Sequence, residues 1–113
     1  MEFEKLIQLQ TDFDRGHGVA KPFFVPISSG NLHELEHLVV CLIGEVGEFA
    51  NELKKVVRGD ASYEERQTAL AEELADTFIY LIKIAAQTGI DLESEYLKKL
   101  EKNRRRFPRQ VAP

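Results

Sequence analysis

Apolar residues recur at steps of three and four along most of the chain, and alternation with period two is nearly absent, so the pattern predicts an all-α protein. Phe3, Leu6, Ile7, Gln10 and Phe13 keep helical spacing until Gly16 and Gly18 interrupt it, which predicts a first helix ending there. From Gly16 to Gly30, three glycines, Pro22, Pro26 and a Ser28-Ser29 pair surround Phe23, Phe24 and Val25. Apolar residues in such a segment pack somewhere, so it reads as an ordered loop and not a linker.

Asn31 with Glu34 reads as an N-cap with its capping-box partner, and Gly59 after Arg58 as the residue that stops a long second helix. Inside it, Leu32, Leu35, Val39, Leu42, Val46, Phe49, Leu53 and Val56 form a seam for shallow helix-on-helix packing. Glu45, Glu48 and Glu52 run along one edge of that seam. A further apolar strip, Val39, Ile43, Ala50 and Val57, is more than a short chain can cover alone, which predicts pairing with another copy. Ser62 with Glu65 repeats the capping signal, and Leu70, Leu74, Phe78, Leu81 and Ala85 form a third seam before Gly89. Glu73, Asp76 and Tyr80 share its edge. Asp91 caps a fourth helix carrying Leu92, Tyr96, Leu97 and Leu100, which Pro108 ends. The expected architecture is a four-helix bundle-like domain spanning 1–113, its helices packed against a partner subunit.

Composition narrows the class. A chain of 113 residues, 43% hydrophobic and 30% charged, has the make-up of a soluble globular domain, and no apolar run is long enough to span a bilayer. The opening Met1 to Lys5 lacks the basic-then-apolar order of a secretory signal, and the single Cys41 has no internal disulfide partner, so the expected compartment is the cytoplasm. A net charge of −4 argues against general binding to nucleic-acid polymers. Positive charge nevertheless gathers near the end, at Lys98, Lys99, Lys102, Arg104, Arg105, Arg106 and Arg109, where it suits a phosphate ligand. Lys99, Asn103 and Arg106 share one helix face.

The candidate chemistry lies in Glu45-Val46-Gly47-Glu48 and Glu73-Leu74-Ala75-Asp76, where carboxylates three residues apart share a helix face. One such pair is common on a solvated helix. Two pairs, each beside an apolar seam and neither followed four residues later by Lys, form a recurring device. Facing each other, they would make a four-carboxylate cage whose hard oxygen ligands select Mg²⁺ or Mn²⁺ over Zn²⁺. His33 and His37 lack a third ligand in sequence and read as surface residues.

Three blocks carry a resemblance. The runs Leu42 to Ala50, Glu72 to Leu81 and Lys99 to Pro108 resemble, in order and spacing, the signature blocks of the MazG-like all-α nucleoside triphosphate pyrophosphohydrolases, nearest the dCTP pyrophosphatase-type branch. The resemblance implies a helical bundle that assembles as a homodimer or tetramer and hydrolyses a nucleotide between its α and β phosphates, with Mg²⁺ or Mn²⁺ as cofactor. Carried over by position, Glu45, Glu48, Glu73 and Asp76 are the metal ligands, while Tyr80, Lys99 and Asn103 hold phosphate or sugar. Glu48, with Glu45, is the expected carboxylate at the attacking water, and Arg106 adds positive charge on the phosphate side.

Two departures accompany the match. Gly44 precedes Glu45 where many MazG proteins carry a second Glu, and no tryptophan is present where the dCTP-type branch surrounds the base with them, Lys54-Lys55 standing in that neighbourhood. The resemblance therefore carries no base preference. Phe23, Phe24 and His17 are the candidates for stacking on a base. The expected function is a house-cleaning pyrophosphohydrolase of nucleoside triphosphates, giving a monophosphate and pyrophosphate. The alternatives are a phosphoribosyl-ATP pyrophosphohydrolase-like activity and a non-catalytic helical interaction module.

Overall fold

The computed structural model describes residues 1–110, which form four α-helices and, among the described residues, no strand. They are α1 (Phe3–Arg15), α2 (Leu32–Val57), α3 (Tyr63–Thr88) and α4 (Leu92–Arg106). The ends follow the local chemistry. Ser62 and Glu65 form the full reciprocal capping box of α3, and the Asp91 side chain accepts from Ser94 N at 3.1 Å to start α4. Gly59 and Gly89 close α2 and α3 with φ of +87° and +74°, the left-handed region where a Cβ is penalised.

Asn31 departs from its expected role. It occupies the N-cap position of α2, but its side chain makes no capping bond. Instead Oδ1 accepts from Ser28 N at 2.7 Å and Nδ2 donates to Pro26 O at 2.9 Å. The amide is used to fold the incoming loop, a competing local use of the same donor and acceptor.

Helices α2 and α3 form a hairpin joined through 58–62, and they make the most extensive contact in the molecule. The register of this contact differs from the expected one by one column of side chains. On α2 the inward column is Leu35, Leu38, Leu42, Glu45, Phe49, Glu52 and Val56, while Leu32, Val39, Val46 and Leu53 stand exposed. On α3 the inward column includes Arg66, Leu70, Glu73, Thr77, Tyr80, Ile84 and Gln87, and Leu74, Phe78 and Leu81 look outward. Both columns keep three-four spacing, so both satisfy helix packing geometry. The carboxylates therefore lie in the seam, where the pattern had put them along its edge.

A closed bundle is not formed within one chain. Among the described residues, the buried apolar ones are Leu38, Leu70, Ile82 and Ala85. The radius of gyration is 17.9 Å, against about 13 Å for a compact domain of this length. Helix α1 packs across α3, with Phe3 edge-on to Phe78 at 6.2 Å, whereas α4 buries no residue and makes only sparse contact with the rest. On α2, Leu32, Val39, Ile43, Val46, Leu53 and Val57 make a continuous exposed apolar strip.

The loop between α1 and α2 is tied to the far end of α3. Gln87 is buried, its amide donates to Phe23 O at 3.1 Å and accepts from Val25 N at 3.2 Å, and its backbone carbonyl accepts from Ile27 N at 2.8 Å. Gly18 permits the sharp entry into this loop, since at φ +84° an added Cβ would stand 2.2 Å from Lys21 O. Phe23 is thereby fixed beside the C-terminal half of α3, near Tyr80 and Lys83.

Candidate metal centre and substrate cavity

Because α2 and α3 run in opposite directions, Glu45 meets Glu73 across the seam, and Asp76 joins them from the next turn of α3. One carboxylate oxygen from each lies within 4.8 Å of the other two. Like charges this close repel one another unless a proton or a cation comes between them. The cost is visible in Glu73. Its carboxyl is pushed above the ordinary value of 4.5 by burial first, then by a hydrogen bond with Glu45, then by the charges of Glu45, Asp76 and Glu48. Its Oε2 is buried without a hydrogen-bond partner. An orphaned carboxylate oxygen among carboxylates fits a cation, and an all-oxygen donor set fits a hard divalent ion such as Mg²⁺ or Mn²⁺.

Glu48 lies outside this trio. It is exposed one turn further along α2 and reaches the cluster through its charge on Glu73, not through a converging oxygen. Glu52, next on the same stripe, is already taken up by Lys55 at 3.0 Å and Arg66 at 3.5 Å. His33 and His37 are exposed; His33 faces Glu34, and His37 lies 3.7 Å from the Cys41 thiol.

A cavity of about 420 Å³ opens beside the carboxylates, bounded by Glu45, Asp76, Tyr80, Lys83, Phe23 and Gln10 among others. The Tyr80 phenol is raised above its ordinary value of 10.0 by burial, then by Cys41, Glu45 and Asp76, so it remains a protonated O–H donor at neutral pH. Phe23 faces the cavity, and the ring of His17 lies between those of Phe13 at 4.1 Å and Phe23 at 6.0 Å, nearly parallel to both. Phe24 does not line this cavity; its ring carries the Arg15 guanidinium at 4.3 Å.

Lys99, Asn103 and Arg106 are exposed on α4, and none of them lines the cavity that holds Glu45 and Asp76. Three polar residues that the sequence motifs do not single out also belong to the neighbourhood. Asp14 is 2% exposed and pairs with Lys83 at 3.3 Å, and Gln87 is the loop anchor. The signal for two of them was available: Lys83 and Gln87 continue the Glu73, Asp76, Tyr80 stripe of α3 at the same three-four steps. Nothing in the sequence pairs Asp14 with Lys83, since the contact spans 69 positions.

Comparison with known proteins agrees with this geometry. The family model described as the MazG nucleotide pyrophosphohydrolase domain matches residues 33–111. The chain is 37% identical over 84 residues to dCTP pyrophosphatase 1 of Homo sapiens, covering 71% of this chain and 49% of that protein. It is 39% identical over 80 residues to dCTP pyrophosphatase 1 of Bos taurus, covering 67% and 47%. The chain thus spans about half the length of the curated relatives it matches.

The raised Glu73 carboxyl has a measurable consequence. In the folded state it holds its proton to higher pH than in the unfolded chain, so its stabilising effect is full below its ordinary range and is lost as pH rises through the folded value. In chelator, the melting temperature of the wild type should therefore fall relative to that of Glu73→Gln between mildly acidic and neutral pH. Calorimetric melts of the two proteins side by side isolate Glu73 from the other carboxylates. Parallel pH curves would show that Glu73 feels no such environment.

Proposed function

The chain belongs to the MazG nucleotide pyrophosphohydrolase domain family, and from that membership we propose that it hydrolyses nucleoside triphosphates between the α and β phosphates, releasing a monophosphate and pyrophosphate in a house-cleaning role. The observation that carries the reading is the buried, unpartnered Oε2 of Glu73 beside Glu45 and Asp76, a cost to the fold that a divalent cation removes. A non-catalytic helical module has no need of such a cost.

In this reading Glu45, Glu73 and Asp76 hold Mg²⁺, with Mn²⁺ as a substitute, and Glu48 completes the set from the rim. Held there, such an ion would supply positive charge opposite the phosphate oxygens. Glu48, with Glu45, orients the attacking water and accepts its proton; an exposed carboxylate one turn from the trio suits that task because water reaches it freely. Tyr80 donates its O–H to phosphate or sugar, and Phe23 offers a ring face at the cavity wall. Phe24, covered by Arg15, braces the loop.

Lys99, Asn103 and Arg106 take part through assembly. We assign the exposed apolar strip of α2 and the projecting α4 to contacts with a second copy, in a homodimer or tetramer. A partner's α4 then brings its basic face to phosphate. The expanded radius of 17.9 Å and the exposed Ile43 and Val57, at 64% and 79%, support this.

Two results are expected. With Mg²⁺, nucleoside monophosphate and pyrophosphate should appear in equal amounts, followed by chromatography and a phosphate assay, and Asp76→Ala should lower the rate at least about 100-fold while leaving the fold intact. Accumulation of a diphosphate and orthophosphate would place the cut elsewhere. Light scattering should give at least a dimer, and Ile43→Glu should dissociate it and reduce activity together, since a charge is then buried against an apolar strip. An active monomer would remove the partner's α4 from the site.

A further inference from the structure

The α3 stripe that carries the carboxylates does not end at Tyr80. Lys83 is the next residue on it, two turns and about 10 Å beyond Asp76 along the helix axis. Its side chain is 12% exposed and lines the same cavity as Glu45 and Asp76. The ammonium pairs with Asp14 Oδ1 at 3.3 Å, and the same oxygen accepts from Gln10 Nε2 at 3.0 Å. A buried ion pair is costly to build and is replaced by apolar residues with little loss or even a gain in stability, so packing alone gives no reason for it here.

What remains available on Lys83 decides what it can bind. An ammonium has three donors, and the structure gives one of them a hydrogen-bond partner, Asp14. The nitrogen sits 5.4 Å from the Phe23 ring centre and 5.6 Å from that of Tyr80, so its surroundings within the cavity are aromatic. Asp14 cancels its net charge. A neutralised donor between ring faces suits a neutral acceptor far better than a phosphate, which calls for uncompensated positive charge. It also stands two helical turns from Asp76 within the same cavity, which leaves room for a nucleoside between the metal centre and the ammonium.

The geometry points to Lys83, held by Asp14, as a nucleobase-reading residue that donates to an exocyclic carbonyl oxygen of the base. This rests on the hydrolase reading above and adds to it a substrate class. Cytosine, uracil, thymine and guanine present such an oxygen, whereas adenine presents only ring nitrogens and an amino group that repels a donor. Gln10 positions Asp14, and Gln87 positions Phe23, so the reader and its aromatic wall are fixed from both sides.

The test is kcat/KM for pyrophosphate release from the triphosphates of cytidine, uridine, guanosine and adenosine and their deoxy forms, in Mg²⁺, for three proteins. These are the wild type, Lys83→Met, and the double variant Asp14→Asn with Lys83→Met, which avoids an unpaired buried carboxylate should the single variant fail to fold. The wild type should favour the carbonyl-bearing bases over adenine. Either variant should lower kcat/KM for those bases about tenfold and leave the adenine value nearly unchanged, the size expected for one hydrogen bond to a charged donor. An equal loss for every base would overturn the proposal and make the pair structural; an unchanged ratio would overturn it too. If no triphosphate is cleaved, the hydrolase reading fails, and calorimetric binding of CMP, GMP and AMP then judges Lys83 alone. Tighter CMP and GMP binding that Lys83→Met abolishes would uphold the base reader, and equal binding of all three would refute it.

Discussion

Carboxylates forced into and beside one helix seam are the constraint on which the molecule turns. An α2–α3 hairpin packed by aliphatic side chains alone would be more stable, yet its inward column alternates Leu35, Leu38, Leu42 and Phe49 with Glu45 and Glu52, and faces Arg66, Glu73 and Tyr80. Arg66 and Lys55 answer Glu52 with charge. No protein cation pairs with Glu45, Glu73 or Asp76 among the described residues, and burial, a hydrogen bond with Glu45 and the neighbouring carboxylate charges push the Glu73 carboxyl up. A seam given over to polar groups cannot also serve as a full hydrophobic core. The aliphatic residues displaced from it, Val39, Ile43, Val46 and Val57, stand on the outer face of α2. The polar centre and the uncovered strip are thus two aspects of one choice, which is why the proposed site and the proposed assembly belong together.

Helix α3 then acts as a ruler. Along one stripe of it, Glu73 and Asp76 come first, Tyr80 a turn later, Lys83 two turns beyond Asp76, and Gln87 near the end of the helix, all on one face. Gln87 turns the last step into a fixed point for the loop by making two hydrogen bonds through its side chain and one through its backbone. Phe23 is delivered to the same cavity by a segment that has no regular structure of its own. The stripe offers hard oxygen ligands at one end and an aromatic, neutralised donor at the other, an order that matches a nucleotide from its phosphates to its base.

Much of this is legible in the amino-acid sequence. Ser62 with Glu65, Asp91, Gly59 and Gly89 mark helix ends by local hydrogen bonding and backbone geometry, and local effects are written locally. The two acidic i, i+3 pairs inside apolar helices suggested a cage of four carboxylates, of which Glu45, Glu73 and Asp76 converge while Glu48 stays outside. The column of contact was not legible. Leu32, Val39 and Val46 obey the same three-four rule as Leu38 and Glu45, and on a helix apolar over so wide an arc the period cannot choose between adjacent columns. Asn31 was misread because one amide can cap a helix or fold a loop, and the competing partner, Pro26 O, precedes it. Asp14 with Lys83 escaped because a contact between distant segments leaves no local periodicity.

If cation binding is what the carboxylate seam is built for, the nucleotide-free protein should respond to the ion itself. The direct measurement is the melting temperature at neutral pH against increasing Mg²⁺ or Mn²⁺, for the wild type and for the double variant Glu45→Gln with Asp76→Asn. A cation-binding role for the seam predicts a rise that grows with ion concentration in the wild type, as expected when an ion binds the folded state alone, and no rise in the variant, which should melt higher than the wild type in chelator. A wild type whose melting temperature ignores millimolar Mg²⁺ and Mn²⁺ would contradict it.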